Sequence, residues 1–283
     1  GAVPAATELR LGERSYDIST RGLVMAICNR TPDSFFDRGE YFAFDTFLAH
    51  AEKAVADGAD LLDVGGVKAG PGPEVTEAEE LDRVVPAVEA LRRRFDLPIS
   101  VDTWRASVAK AAFAEGAVLG NDISGFADPD YLAVAAAAGA SVVATHIRLR
   151  PRVADPEPRY DDLVGEVCTF LSGRVAAATA AGLERERIVI DAGLDLGKSS
   201  EHSLELLRRS DELAGLGQPL LLSASNKSFL GVLLGLEVKE RRDASLSAAT
   251  LGLVRGCRLL RVHDVAGTVR VRDLVAAVAE HCP

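Results

Sequence analysis

Four segments of this chain repeat one short pattern, in which a glycine is followed after one or two residues by an apolar run. They are Gly58-Ala59-Asp60-Leu61-Leu62-Asp63, Gly116-Ala117-Val118-Leu119-Gly120-Asn121, Gly139-Ala140-Ser141-Val142-Val143 and Gly256-Cys257-Arg258-Leu259-Leu260. A glycine that ends a helix in the left-handed conformation, with a buried strand directly after it, is the signature of repeated αβ units. Apolar runs predict strands at 23–28, 60–64, 98–102, 118–121, 141–146, 187–190, 219–223 and 258–262. Helical spacing fills the intervals 45–57, 77–94, 105–115, 129–138, 160–181, 201–215 and 243–255, with a last helix at 268–280 and an extra turn inside 228–239. Alternating strands and helices over 283 residues predict a single α/β domain, a (β/α)8 TIM barrel spanning 1–283. A doubly wound open sheet is the alternative, and eight strands of similar grammar favour closure.

The predicted strands end in polar residues: Asp63, Asp102, Asn121, His146, Asp191, Ser223 and the pair Arg261/His263. The first strand runs into Asn29-Arg30-Thr31-Pro32-Asp33-Ser34-Phe35-Phe36-Asp37. Polar groups at the carboxyl ends of parallel strands are what an α/β-barrel active site is made of. Acids that directly follow apolar residues are shielded from water and need partners. Two of Asp63, Asp102 and Asp191, together with Asn121, can hold a flat heterocycle that offers adjacent N–H donors. Each acid taken alone could equally cap the next helix. Lys227 after the seventh strand, with Arg261 and His263 at the eighth, stands where barrel enzymes often hold phosphate. A salt bridge from Arg261 to Asp264 or another rim acid is the competing reading. Asn29 is a neutral oxygen ligand suited to Mg²⁺ held with substrate phosphates. Arg148, Arg150 and Arg152 after the fifth strand read either as anion contacts or as a solvated loop. His50, His202 and His281 read as surface residues of helices, and Trp104 as packing or a wall of the site.

Charge narrows the partners. A formal net charge of −10 argues against nucleic acid, which needs a basic face, but leaves room for a small phosphorylated ligand. Cys28, Cys168, Cys257 and Cys282 show no paired spacing and read as reduced thiols. The sequence shows no signal peptide and no apolar run of membrane length, so a soluble cytoplasmic protein without a membrane partner is the expectation.

Several of these pieces, in this order, resemble the dihydropteroate synthase family over nearly the whole chain. The matching motifs are Asn29 to Asp37, Asp63-Val64-Gly65-Gly66, Pro71-Gly72, Glu79 to Pro86, Ser100-Val101-Asp102-Thr103, Asn121 to Gly125, Asp191 to Lys198, Ser225 to Gly231 and Arg261 to Val265. The resemblance implies a TIM barrel, usually a homodimer. The implied reaction joins 6-hydroxymethyl-7,8-dihydropterin pyrophosphate to p-aminobenzoate and releases pyrophosphate. By the same resemblance Asp102, Asn121, Asp191 and Lys227 line a pterin pocket. Asn29, Arg261 and His263 hold pyrophosphate and Mg²⁺, and Ser225 and Lys227 sit beside the acceptor. The implied catalytic set is Asp102, Lys227, Arg261 and His263, with buried acids stabilising cationic character on the pterin methylene.

The departures from the pattern carry equal information. The family's second loop, Gly-Gly-Glu-Ser-Thr-Arg-Pro-Gly, is here Gly65-Gly66-Val67-Lys68-Ala69-Gly70-Pro71-Gly72. Its arginine is absent, and Lys68 does not replace a bidentate phosphate contact. Asn226 stands where an arginine is usual, Asp195 where glycine is usual, Leu196 where an aromatic is usual, Ser223 where glycine is often found and Thr145 where methionine is common. The combination resembles a second, divergent dihydropteroate synthase-like branch of actinobacteria. Three functions follow as expectations: a slow pterin transferase, a non-catalytic binding paralogue, and a transferase with a changed acceptor or substrate.

Overall fold

The computed structural model describes residues 3–31 and 40–281; Pro32 to Asp37 of the first motif, and Cys282, lie outside the described residues. The chain begins with a hairpin, β1 (Glu8–Leu11) and β2 (Arg14–Asp17), paired antiparallel. Then come β3 (Leu23–Asn29), α1 (Glu40–Ala56), β4 (Leu61–Gly65), α2 (Glu77–Arg94), β5 (Ile99–Asp102), α3 (Ala106–Ala114), β6 (Leu119–Asp122) and α4 (Tyr131–Ala137). The remainder is β7 (Ser141–Thr145), α5 (Leu163–Ala180), β8 (Ile188–Asp191), α6 (Ser200–Arg208), α7 (Ser210–Ala214), β9 (Leu220–Leu222), α8 (Ser228–Leu234), α9 (Arg242–Val254), β10 (Leu259–Val262) and α10 (Val265–His281). Strands β3 to β10 close into one barrel, all pairs parallel, with β10 against β3. Closure decides between the two expected architectures. The four glycines of the repeated pattern have φ of 102°, 108°, 64° and 104°, as the helix-ending role requires.

Strand alternation divides the apolar residues into two cores. Val24, Ala26, Leu62, Val64, Val101, Val142, Ala144, Ile188, Ile190, Leu220 and Leu260 face the helices. Met25, Leu61, Leu119, Val143, Val189, Leu221 and Leu259 face the lumen. The lumen is filled from below by Leu9, Leu11 and Ile18 of the N-terminal segment. That hairpin was not among the predicted elements. Its signal was present, since Leu9 and Leu11 alternate with polar residues ahead of Gly12, which turns the chain at φ 61°. Two four-residue strands are too short for periodicity to distinguish from a loop.

Other differences are local. The predicted helix 201–215 is broken at Arg209 (φ −100°, ψ 23°), where Ser210 Oγ donates to the carbonyls of Leu207 at 2.8 Å and Leu206 at 3.2 Å. The extra turn at 228–239 is α8, a left-handed Gly235 and a 3-10 turn at Val238–Glu240. Contrary to the expectation of no apolar run of membrane length, α5 is long and apolar enough to cross one. It packs on β7 and β8 through Leu163, Val164, Val167, Leu171 and Ala178, as an outer helix of the barrel. Cys28 and Cys257 are buried and Cys168 is half-buried; all three are free thiols.

Candidate functional site

The same alternation that makes the lower lumen apolar makes its upper end polar. Two residues beyond the inner apolar layer the chain places Asp63, Asn121, Thr145, Asp191, Ser223 and Arg261 on the lumen side, with Ser100 and Asp102 joining from β5. Asp63 is the hub. Its fully buried carboxylate accepts from Ser100 Oγ at 2.7 Å, Asn121 Nδ2 at 3.2 Å and Arg261 Nε at 2.7 Å. Arg261 also donates from Nη2 to Asp102 Oδ2 at 3.4 Å. The sequence reading offered Asp63 as a ligand acid, but its partners are protein groups. The competing reading of Arg261 as a salt bridge to a rim acid therefore holds, with Asp63 and Asp102 as the acids, while Asp264 pairs instead with Arg242 at 2.8 Å.

Burial, and then the charge of Asp63, hold the Asp102 carboxyl above its usual range, against the opposing pull of Arg261. Asp102 Oδ1, Asn121 Oδ1 and Thr145 Oγ1 are buried without a hydrogen-bond partner among the described residues. Gly65 borders both Asp102 Oδ2 and Asn29 Oδ1. A Cβ there would stand 3.0 Å from the first and 3.4 Å from the second, so glycine lets the β3 and β5 ends converge.

The opposite wall carries the amines. Asp191 Oδ1 accepts from Gly193 N at 2.8 Å, and a side chain at Gly193 would collide with the His146 carbonyl. Lys198 Nζ lies 2.7 Å from His146 Nδ1 and 3.1 Å from the carbonyls of His146 and Leu196. Burial lowers the Lys198 amine well below its usual value, and burial followed by the Lys198 charge lowers His146 to about 3. The lowered value favours a neutral His146 imidazole, whose Nδ1 can accept a hydrogen bond from the Lys198 amine. Lys227 Nζ donates to the Leu194 carbonyl at 2.7 Å; burial lowers its pKa, and Asp191 opposes that. Lys198 was quoted in the Asp191 motif without a role, and its position after β8 was the available signal.

Ser225 Oγ lies 2.8 Å from His263 Nδ1 and accepts from His263 N at 3.1 Å. The structure thus brings Asp102, Asn121, Asp191, Arg261, Lys227, Ser225, His263 and Asn29 to one end of the barrel. His202 does not follow its surface assignment: it is half-buried and completes a capping box with Ser199 at the start of α6.

The altered positions have local explanations. Asp195 (φ 68°) accepts from Ser228 Oγ at 2.8 Å and so ties the loop after β8 to the start of α8. Asn226 (φ 56°) turns toward Ser245 and Arg241 of the α9 side. Arg148 pairs with Asp155 at 2.7 Å. Arg152 reaches across to the second loop. It donates from its backbone N to the Ala69 carbonyl at 2.9 Å and from its guanidinium to the carbonyls of Lys68 at 3.1 Å, Gly70 at 2.7 Å and Pro73. Arg83 holds the Gly66 carbonyl at 2.8 Å. Arg148 and Arg152 are thus both engaged with protein groups. Arg152→Ala is expected to raise backbone amide exchange across 66–73 at least ~10-fold, read by mass spectrometry, while the barrel strands keep their protection.

A closed parallel barrel with acids, amides and cations gathered at its C-terminal end has the arrangement on which α/β-barrel proteins build their sites. The sequence profile of the family described as pterin binding enzyme matches residues 25–263, and the chain belongs to that family. It is dihydropteroate synthase-like. It is 46% identical over 264 residues to the inactive dihydropteroate synthase 2 of Mycobacterium leprae, covering 91% of each chain. It is 40% identical over 273 residues to the dihydropteroate synthase of Synechocystis, covering 95% of this chain and 94% of the relative. The solved dihydropteroate synthase of Xanthomonas albilineans with 4-aminobenzoic acid superimposes with a TM-score of 0.91 at 38% identity, over 98% of this chain and 100% of that one.

Proposed function

We propose that the upper lumen binds a dihydropterin through Asp102, Asn121, Asp191 and Lys227, and that synthase turnover is weak or lost. The observation that carries the ligand reading is the pair of buried, unpartnered oxygens Asp102 Oδ1 and Asn121 Oδ1 on adjacent strands. They suit a flat ring with neighbouring N–H donors, and a buried acceptor is stabilised when a ligand completes it. Arg261, 17% exposed at its side chain, and His263 supply the anion side for a pyrophosphate. Ser225 and Lys227 border the acceptor, a p-aminobenzoate-like amine.

Mg²⁺ fits Asn29 by donor chemistry. The amide oxygen stands beside the Asp102 carboxylate across Gly65, and Mg²⁺ prefers one or two protein oxygens plus phosphate. When bound, the ion neutralises the leaving diphosphate. Asn29 would hold it, while Arg261 and His263 orient the anion and Asp102 faces the ring.

The impairment reading rests on the second loop. Val67 is buried, the space beside Gly70 is open, and the loop offers no guanidinium of its own. One lost charge-assisted contact to a leaving group costs on the order of 10²–10³ in rate. A non-catalytic binding paralogue is the second reading, favoured by the similarity to a relative named inactive. We place the whole chain, 1–283, in one cytoplasmic barrel domain. A homodimer is supported by exposed Leu251 and Val254 on α9 with Leu274 and Val278 on α10, two helices that pack side by side.

The test is product formation from dihydropterin pyrophosphate, Mg²⁺ and p-aminobenzoate beside an active synthase. We expect a rate at least ~10²-fold below that control. A rate near the control overturns the impairment. Pyrophosphate release without dihydropteroate means a different acceptor, and no release favours the binding paralogue.

A further inference from the structure

Thr145 ends β7 and is completely buried, yet its Oγ1 has no hydrogen-bond partner among the described residues. Its direction is set by alternation: Ala144 lies in the outer core and Val143 in the inner one, so Thr145 points into the lumen. Ser141, on the same face at the foot of the strand, gives its hydroxyl to the Arg10 carbonyl. The hydroxyl at the top of that face has no such acceptor. Thr145 is register-paired with Asp191 on one side. On the other side is β6, which carries Asn121 and its unpartnered Oδ1. Tyr131 OH is also unpartnered, but it lies outside the barrel beneath Gly120, with its ring stacked on Phe126, and cannot reach the lumen.

A buried unpaired hydroxyl destabilises a fold, and valine would fill nearly the same volume without that penalty. The hydroxyl differs in kind from its neighbours. The oxygens of Asp191 and Asn121 that face a ligand accept, whereas a threonine hydroxyl both donates and accepts. It can therefore satisfy a ring acceptor placed beside ring donors, which the oxygens of Asp191 and Asn121 cannot.

We propose that Thr145 is a specificity-determining residue: its hydroxyl hydrogen-bonds a polar edge atom of the bound heterocycle, next to the edge read by Asp191 and Asn121. The inference rests on the pterin reading above and extends it. It selects a ring with a nitrogen or carbonyl acceptor beside its N–H donors over one whose corresponding edge is apolar.

The test is titration calorimetry of the full chain with 6-hydroxymethyl-7,8-dihydropterin, using wild type, Thr145→Val and Thr145→Ser, with thermal melts of each. Thr145→Val should bind about tenfold more weakly, the equivalent of ~1.4 kcal/mol, and melt at or above the wild-type temperature. Thr145→Ser, which keeps the hydroxyl, should bind within about threefold of wild type. Equal binding by wild type and Thr145→Val overturns this inference and leaves the pterin reading standing. Comparable losses in Thr145→Val and Thr145→Ser overturn it too, because shape and not the hydroxyl would then be read. No binding by folded wild type removes the pterin reading and this inference together. If Thr145→Val does not fold, Thr145→Ala compared with Thr145→Ser gives the same decision.

Discussion

Arg261→Met is expected to lower stability by about 3–5 kcal/mol, because it leaves two carboxylates facing each other inside the barrel. Asp63 is fully buried, the Asp102 side chain is 14% exposed, and Arg261 is the cation that bridges them. Methionine preserves length and packing, so the loss isolates the charge. For a chain of this size the melting temperature should fall by ~10 °C. The pH dependence has a definite sign. The folded Asp102 carboxyl already sits above its usual value of 3.8, and removing Arg261 raises it further. A group whose folded pKa is raised contributes stability that is present below 3.8 and is lost as pH rises through the folded value. The deficit of Arg261→Met should therefore widen as pH rises through that range and be smallest in acid. Urea denaturation at pH 5 and pH 8 measures it. A deficit below ~1 kcal/mol at pH 8 would show that the lumen is wetter than the geometry implies.

Asp102→Asn is expected to separate stability from binding. The substitution removes a buried charge that burial and Asp63 both oppose. Chemical denaturation at pH 8 should show a gain of up to ~4 kcal/mol, since the carboxyl is pushed from 3.8 up to about 7 and each unit is worth ~1.4 kcal/mol. The gain should vanish as pH falls toward 3.8, where the wild-type carboxyl is already neutral. Dihydropterin affinity should fall about 100-fold, because a carboxylate acceptor aimed at the ring contributes more than an amide. Stability gained where affinity is lost is the expected signature of a group kept for function. If affinity is unchanged, Asp102 serves only to hold Arg261, and the ring is bound elsewhere.

Much of the barrel was legible before any coordinates. The glycine-then-strand pattern at Gly58, Gly116, Gly139 and Gly256 marks positions where the backbone must be left-handed, and all four are. Helix α2 matches its predicted span, 77–94, because Thr76 caps it and basic residues close it. Asp102, Asn121, Asp191 and Arg261 were visible as polar strand ends because a polar group that ends an apolar parallel strand stands out in the sequence, and all four lie at one end of the barrel. The N-terminal hairpin was missed, although Leu9 and Leu11 alternate with polar residues. Its strands are short, and what makes them strands is the open foot of the barrel that Leu9 and Leu11 fill.

Division of labour within the site is a tertiary property. Asp63 and Asp102 are each strand-end acids in the sequence, yet one is saturated by Ser100, Asn121 and Arg261 while the other keeps an oxygen unpaired. Which acid is saturated by protein groups and which keeps an oxygen unpaired depends on the register of β4, β5, β6 and β10. Arg152 illustrates the same point, since nothing local to it announces that its guanidinium will hold carbonyls of the loop after β4. By itself the sequence determined the αβ repeat and which strand ends would be polar, because local backbone preference and strand alternation act over a few residues. Only the closed barrel decided which of those polar groups pair and which remain open to a ligand, because hydrogen bonding in a buried space is settled by neighbours that the chain brings together last.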